Sequence, residues 1–70
     1  MARSDEVQAP TLRFLRLPEV IEKTGLSSVS IWRLEAAGEF PKKRRLAGRL
    51  IGYRSDEIDA WIESRERVED

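Results

Sequence analysis

Six basic residues lie between positions 42 and 54, a stretch without any acid: Lys42, Lys43, Arg44, Arg45, Arg49 and Arg54. Lysine and arginine bind phosphate oxygens, and an arginine at a hairpin tip can enter a DNA minor groove. We therefore expect phosphate contacts from the first four residues and a minor-groove contact from Arg49. The alternative is a run of charges that only keeps the surface soluble.

The charges are unevenly distributed along a chain whose formal net charge is zero, with 13 basic and 13 acidic residues. Arg65 and Arg67 are the only basic residues after position 54, among seven acids: Asp56, Glu57, Asp59, Glu63, Glu66, Glu69 and Asp70. The local field, rather than the total charge, decides where a polyanion docks. A neutral chain can therefore still present a positive face to nucleic acid.

A second group of candidate residues lies between positions 28 and 33. The side chains of Ser28 and Ser30 can donate to phosphates at a helix start, and Arg33 can pair with guanine or phosphate. The alternative for Arg33 is an ordinary solvated helix arginine. Trp32 has two open interpretations, since it can pack on sugar and phosphate or complete the core.

The composition argues against catalysis and cofactors. The chain has no cysteine and no histidine, so it lacks a disulfide and a zinc site of the Cys/His type. A serine nucleophile would need a base in a pocket, for which so small a core has no room. We expect no enzyme activity, no cofactor, no metal and no small-molecule substrate. Without a signal peptide or a membrane-length apolar run, a cytoplasmic location is expected.

Two helices joined by a short turn must position Arg33 and its neighbours. Pro18 suits the first position of a helix, and Gly25 suits its end. Ser27 is a good N-cap for a second helix, predicted over residues 28–37 and ended by Gly38. This is the pattern of a helix-turn-helix unit, whose second helix enters the DNA major groove.

A hairpin is predicted over residues 42–53, because Gly48 supplies the left-handed residue of a short loop. Ser55 is expected to cap a third helix, and the negative charges of Asp56 and Glu57 interact favourably with the positive N-terminal end of its dipole. We expect three regions: a disordered arm over residues 1–10, a folded domain over 11–64 and a frayed acidic tail over 65–70. The folded domain is expected to open with an extended lead-in over residues 11–17.

The predicted fold is mainly α with a small β-hairpin: three short helices plus a wing, hence a winged helix-turn-helix. A chain of 70 residues buries only about 60% of its unfolded surface. Thirteen side chains are expected to form the core: Phe14, Leu17, Val20, Ile21, Leu26, Ile31, Leu34, Phe40, Ile51, Tyr53, Ile58, Trp61 and Ile62.

The stretch from Phe14 to Ser64 resembles the AlpA-type phage regulatory proteins, which group with excisionase-like, MerR-related winged helix-turn-helix domains. The resemblance rests on four motifs in order: LPEV at 17–20, TGLS at 24–27, IWR at 31–33 and GEFP at 38–41, followed by GY at 52–53 and SDEIDAWI at 55–62. The family usually has tryptophan where Tyr53 stands, and often arginine where this chain has Ser28 and Val29.

The resemblance implies sequence-specific binding of double-stranded DNA by a prophage-type transcriptional regulator. Helix 28–37 would enter the major groove, and the hairpin 42–53 would grip the backbone. The resemblance also allows an excisionase-like accessory factor of site-specific recombination, acting with an integrase. The segregated charges also suggest contacts between copies of the chain on DNA. A third reading is a protein-interaction module that does not bind DNA.

Overall fold

The computed structural model describes residues 12–68, which form three helices and a three-stranded antiparallel sheet. In chain order the elements are β1 (Phe14–Leu15), α1 (Leu17–Thr24), α2 (Ser28–Ala36), β2 (Arg44–Ala47), β3 (Leu50–Arg54) and α3 (Ser55–Glu63). The strand order is β1-β3-β2. The predicted winged helix-turn-helix is confirmed. The predicted arm 1–10 lies outside the described residues, as do Glu69 and Asp70 of the predicted tail.

Local signals formed the helix-turn-helix as the sequence predicts. Gly25 adopts the left-handed conformation (φ 76°) after α1, and its N–H donates to the Ile21 carbonyl. The hydroxyl of Ser27 accepts from the Ser30 N–H at 3.1 Å and so caps α2. Two boundaries differ by one residue, since α1 begins at Leu17 and Ala37 is the C-cap of α2 rather than its last residue.

The prediction that Ser55 caps α3 is wrong. Arg54 holds the N-cap position, and Ser55 is the first helical residue, only 8% exposed. The Ser55 hydroxyl instead accepts from the Arg13 N–H at 3.0 Å, while the Ser55 N–H donates to the Arg13 carbonyl at 2.8 Å. Because β3 runs into α3 without a loop, this serine ties the start of the domain to the third helix.

Six buried apolar side chains form the core. Each element except β2 contributes one of them, and the loop after α2 contributes another: Leu15, Val20, Ile31, Phe40, Tyr53 and Ile58. Five partly buried side chains pack around them: Ile21, Leu26, Leu34, Trp61 and Ile62. The Phe40 ring makes edge contacts with Tyr53 and Trp61, with centroids 5.9 and 4.8 Å apart. The indole N–H of Trp61 donates to the Glu39 carbonyl at 2.8 Å, which fixes the exit from α2.

Three of the thirteen predicted core residues are exposed instead, namely Phe14, Leu17 and Ile51. Leu15, absent from the predicted core, is 1% exposed, whereas Phe14 is 44% exposed. The register explains the exchange, because Leu15 pairs with the buried Tyr53 and Phe14 with Arg54. Successive side chains of a strand point to opposite faces, so this pairing turns Leu15 inward and Phe14 outward.

Gly52 lets the strands of the sheet approach closely. A Cβ built at this position would lie 3.1 Å from the Leu15 carbonyl oxygen, 3.2 Å from Leu46 Cδ1 and 3.3 Å from Phe14 Cβ. Such contacts are too short for a side chain without displacement of β1, which makes glycine the residue that fits here.

Candidate nucleic-acid interface

One face of α2 is exposed and carries Ser28, Val29, Trp32, Arg33 and Ala36. Residues three or four apart lie side by side on a helix, so these five form one continuous surface. Trp32 is 66% exposed and Val29 53% exposed, despite their apolar character. Trp32 therefore lies outside the core, which closes one of its two interpretations.

Ser28 and Ser30, both predicted contacts, lie on different sides of α2. Ser28 is exposed at the helix start beside Trp32, whereas Ser30 is half-buried. The Ser30 hydroxyl accepts from the Ser27 hydroxyl at 3.1 Å, so it belongs to the cap of the helix. Of the two serines, only Ser28 is exposed, whereas Ser30 lies one turn before Arg33 and is half-buried.

A groove of about 520 Å³ runs between α2, the start of α1 and the sheet. Its walls are largely apolar and include Leu17, Val29, Trp32 and Ile51, with Arg16 and Lys43 among the polar residues. A smaller cavity of about 310 Å³ is lined by Trp32, Ala36, Lys42 and Lys43. Because Trp32 and Lys43 line both, the exposed face of α2 is continuous with the start of the basic segment.

Glu35 joins α2 to the basic segment and to the sheet. Its carboxylate accepts from the Lys43 N–H and the Lys43 ammonium, each at 3.0 Å, and from the Tyr53 hydroxyl at 3.2 Å. The side chain is 11% exposed. Partial burial raises the pKa of Glu35, but the hydrogen bonds from Lys43 and Tyr53 outweigh it, so the pKa lies below the ordinary 4.5.

The same contact changes the acidity of the tyrosine. Burial, followed by the charge and hydrogen bond of Glu35, raises the pKa of Tyr53 from 10.0 to about 12. Glu35 is thus ionised and Tyr53 neutral at physiological pH. Together with Lys43 they fix the position of the basic segment relative to α2.

The fold brings carboxylates to three of the six cations between positions 42 and 54, although that segment contains no acid. Lys43 pairs with Glu35 at 3.0 Å, Arg44 with Glu57 at 2.6 Å, and Arg54 with Asp56 at 2.8 Å. The partners come from α2 and α3, so the sequence segment alone overstates the local positive charge. The two pairs at the surface, Arg44–Glu57 and Arg54–Asp56, contribute at most about 1 kcal/mol each, and a phosphate can replace the carboxylate.

The register of the hairpin separates Arg44 from Arg45. Arg45 pairs with Ile51, which lines the groove, whereas Arg44 pairs with Gly52. Paired residues share a face of the sheet, so Arg45 lies on the groove side and Arg44 on the opposite side. The guanidinium of Arg45 donates to the Gly48 carbonyl at 2.8 Å, across the turn that holds Arg49.

Three predicted contacts keep unpaired charges. Within residues 12–68, the side chains of Arg33, Lys42 and Arg49 form no ion pair or hydrogen bond. All three are exposed. They are the cations available to an anionic ligand without exchange of an existing contact.

Sequence reasoning missed Val29, Arg16 and Glu35 as parts of this surface. The spacing of Val29, three residues before Trp32, is the signal that places both on one helix face. Glu35 looks like an ordinary surface glutamate in sequence, because its partners Lys43 and Tyr53 are distant along the chain. Arg16 reaches the groove only because α1 begins beside it.

The family model described as Prophage CP4-57 regulatory protein (AlpA) matches residues 13–66, most of the chain. The chain belongs to the AlpA family. The match covers both helices of the helix-turn-helix, the hairpin and α3, so the resemblance read from the sequence motifs is confirmed. No solved structure gives a significant match to the chain.

Two relatives match most of the chain. Uncharacterized protein ORF88 of Enterobacteria phage P4 is 42% identical over 53 residues, which is 76% of this chain and 60% of that protein. A protein of Escherichia coli (strain K12), named DNA-binding transcriptional activator AlpA, is 40% identical over 62 residues. That match covers 77% of this chain and 86% of the relative. The chain therefore spans less than two thirds of the phage protein.

In the described part of the chain, no helix is both long and apolar enough to cross a lipid bilayer.

Proposed function

We propose that this chain is a sequence-specific double-stranded DNA-binding protein that regulates transcription, of the prophage type named by its family. In this proposal α2 enters the major groove and the hairpin 42–53 contacts the flanking backbone. The observation that carries it is the continuity of the exposed face of α2 with the basic segment. The 40% identity to a protein named DNA-binding transcriptional activator supports the same assignment.

Each proposed contact has a role set by its place on this surface. Ser28 and Arg33 face base edges or phosphates from the first and middle turns of α2, since the N-terminal part of a recognition helix meets the bases. Lys42, Lys43 and Arg45 bind backbone phosphates beside the groove, and Arg49 reaches out from the hairpin turn. Phosphate contacts position the protein, whereas base contacts give it specificity. Contacts from Ser30 and Arg44 stay predictions.

The folded domain need not lose stability when the side chains of Lys43 and Arg45 turn from their present partners to DNA phosphates. The Lys43–Glu35 pair uses both the backbone N–H and the ammonium, so the segment stays anchored if the ammonium alone moves to a phosphate. Arg45 can exchange its hydrogen bond to the neutral Gly48 carbonyl for one to an ionised phosphate oxygen, in which donor and acceptor are both charged.

This proposal describes a binding protein rather than an enzyme. The three neighbouring carboxylates Asp56, Glu57 and Asp59 lie on α3, where each is paired with a cation: Arg54, Arg44 and Lys23 respectively. A DNA partner implies a cytoplasmic location. Contacts with an integrase or with neighbouring copies stay predictions that this function does not require.

Selection from a library of random duplexes tests the function directly. The purified chain is incubated with duplexes carrying 20 randomised base pairs, bound DNA is recovered and amplified, and successive rounds are sequenced. We expect one motif to be enriched, because the exposed α2 face has fixed geometry. A pool that stays random, although DNA is retained, would leave only non-specific phosphate binding and contradict the proposal.

A further inference from the structure

The exposed face of α2 offers few groups that can hydrogen-bond to bases. Ser28 has a hydroxyl and Arg33 a guanidinium, but the surface between them consists of Val29, Trp32 and Ala36. We call these three residues the apolar strip. It occupies the middle of the face that would meet the bases if α2 enters the major groove.

Because the apolar strip is exposed to water, contact with an apolar group of a ligand would be favourable. Trp32 and Val29 are 66% and 53% exposed, and both line the groove of about 520 Å³. Arg33 adjoins the strip on α2, Lys42 and Lys43 line the smaller cavity beside it, and Arg16 lines the groove. The carboxylate of Glu35, a residue that lines the same two cavities, is already bound by Lys43 and Tyr53. An apolar surface bordered by cations is complementary to a polyanion that carries apolar groups.

In a DNA major groove the apolar group is the C5-methyl of thymine. Thymine also presents its O4 acceptor beside that methyl. The indole N–H of Trp32 has no hydrogen-bond partner among the described residues. The donor alone would also fit the acceptors of guanine and adenine. The apolar surface of Trp32 and Val29 beside it favours thymine, the one base that presents a methyl group next to its acceptor.

We infer that the apolar strip reads thymine methyl groups, with Val29 and Trp32 as the specificity-determining residues. The inference rests on the proposed function and adds to it the bases that are read. It assigns a role to Val29, which the sequence did not single out. It also explains how a recognition helix with one cation can discriminate between sequences.

Replacement of thymine by deoxyuridine tests the inference, because uracil keeps O4 and the pairing but lacks the methyl. Each thymine of the motif enriched in the selection is replaced in turn, and the dissociation constant is measured by fluorescence anisotropy. Removal of one buried methyl corresponds to about a fourfold change in affinity. We expect a loss of this size for the wild-type chain at one or more positions and no change at the others.

Three variants assign the effect to residues. Val29→Ala and Trp32→Ala should bind the thymine duplex more weakly and lose the distinction between thymine and uracil at their own position. Val68→Ala is the matched control, since Val68 is an exposed valine that does not line the groove. It should behave like the wild type. In Trp32→Ala the fluorescence of Trp61, packed on Phe40, reports whether the core is intact.

The outcomes separate the inference from the function on which it rests. An enriched motif whose binding is indifferent to every thymine-to-uracil replacement overturns the inference and leaves sequence-specific binding standing. The same holds if the two variants retain the full wild-type sensitivity, as they would if Trp32 packed only on sugar or on a protein partner. If no motif is enriched, both the function and the inference fail.

Discussion

Arg33 is the single basic residue of α2, and its side chain is exposed beside the apolar strip. Its charge is available to a ligand, because no carboxylate in residues 12–68 pairs with it. The guanidinium can therefore turn to a base edge or a phosphate without breaking an existing contact. Which of the two it meets determines how its removal affects specificity.

We predict that Arg33→Ala weakens binding to the selected duplex by about 1–3 kcal/mol if it reads a base. Binding to a random duplex should then change little, and anisotropy titrations on both DNAs measure the difference. Arg67→Ala removes the same charge outside the groove and should leave the specificity ratio unchanged. An equal loss on both duplexes for Arg33→Ala would identify a phosphate contact instead.

Glu35 should make stability depend on acid. Its pKa is lower in the folded protein than its ordinary value of 4.5, so its contribution is present above that pH and is lost as pH falls through the folded pKa. Glu35→Gln should lower the free energy of unfolding by about 1–3 kcal/mol near pH 7. Denaturant titrations at pH 7 and pH 3 should show a smaller difference for this variant than for the wild type.

Glu63→Gln is the matched control for that experiment, because Glu63 is exposed and makes no ion pair with the described residues. Its stability should follow the wild type at both pH values. If Glu35→Gln did so too, the contacts of Glu35 with Lys43 and Tyr53 would carry no net stability.

Tyr53 has the opposite pH window. Its pKa is raised to about 12 in the folded protein, so its stabilising effect is complete below pH 10 and is lost as pH rises from 10 to about 12. Tyr53→Phe should cost about 1 kcal/mol at neutral pH and show less alkaline loss. Chemical unfolding at pH 8 and pH 11 measures both effects, and an unchanged alkaline loss would assign that loss to other groups.

At the scale of elements, the hairpin depends on its turn. Gly48 has φ 53°, in the left-handed region, and its carbonyl accepts from Arg45. A side chain is disfavoured in this conformation, most strongly a β-branched one. The turn therefore controls where Arg45 and Arg49 lie relative to α2.

Gly48→Val is predicted to distort the hairpin and weaken DNA binding while the three helices persist. A β-branched residue costs about 1–2 kcal/mol in the left-handed conformation. Circular dichroism measures the helices, and anisotropy on the selected duplex measures binding. Gly48→Asn is the control, since asparagine tolerates this conformation and should bind nearly as wild type. Loss of helix signal in Gly48→Val would show that the hairpin is required for the whole fold.

At the scale of the molecule, the arrangement of charges governs affinity. Lys42, Arg33 and Arg49 are unpaired among the described residues, whereas Lys43, Arg44 and Arg54 have carboxylate partners. Neutral overall charge is thus compatible with DNA binding, because the basic segment 42–54 contains no acid and seven of the 13 acidic residues follow position 54. The number of phosphates that are contacted fixes the salt dependence.

If about five phosphates are neutralised, the logarithm of the association constant should fall with the logarithm of salt concentration at a slope of roughly −4 to −5. Titrations between 50 and 300 mM KCl on a duplex of fixed sequence measure it. Lys42→Ala should reduce the slope by about 0.9, and Arg67→Ala should not alter it. A slope near zero would contradict electrostatic binding by the hairpin.

Local sequence signals were enough to predict the helix-turn-helix. Gly25, Ser27 and Gly38 act on their immediate neighbours, and the apolar spacing of α1, α2 and α3 is local too. Caps and left-handed glycines depend on hydrogen bonds within a few residues. The hairpin with Gly48 followed from the same local chemistry, and family motifs in the right order supplied the DNA-binding assignment.

Which side chains share a surface depends instead on contacts between residues that are distant in the chain. The pairing of Leu15 with Tyr53 places Leu15 rather than Phe14 in the core. Ser55 contacts Arg13 instead of capping α3. Carboxylates of α2 and α3 reached half of the cations in the basic segment. Trp32 is exposed to solvent beside Val29. Each outcome depends on strand register and helix packing between distant residues, which local patterns do not encode.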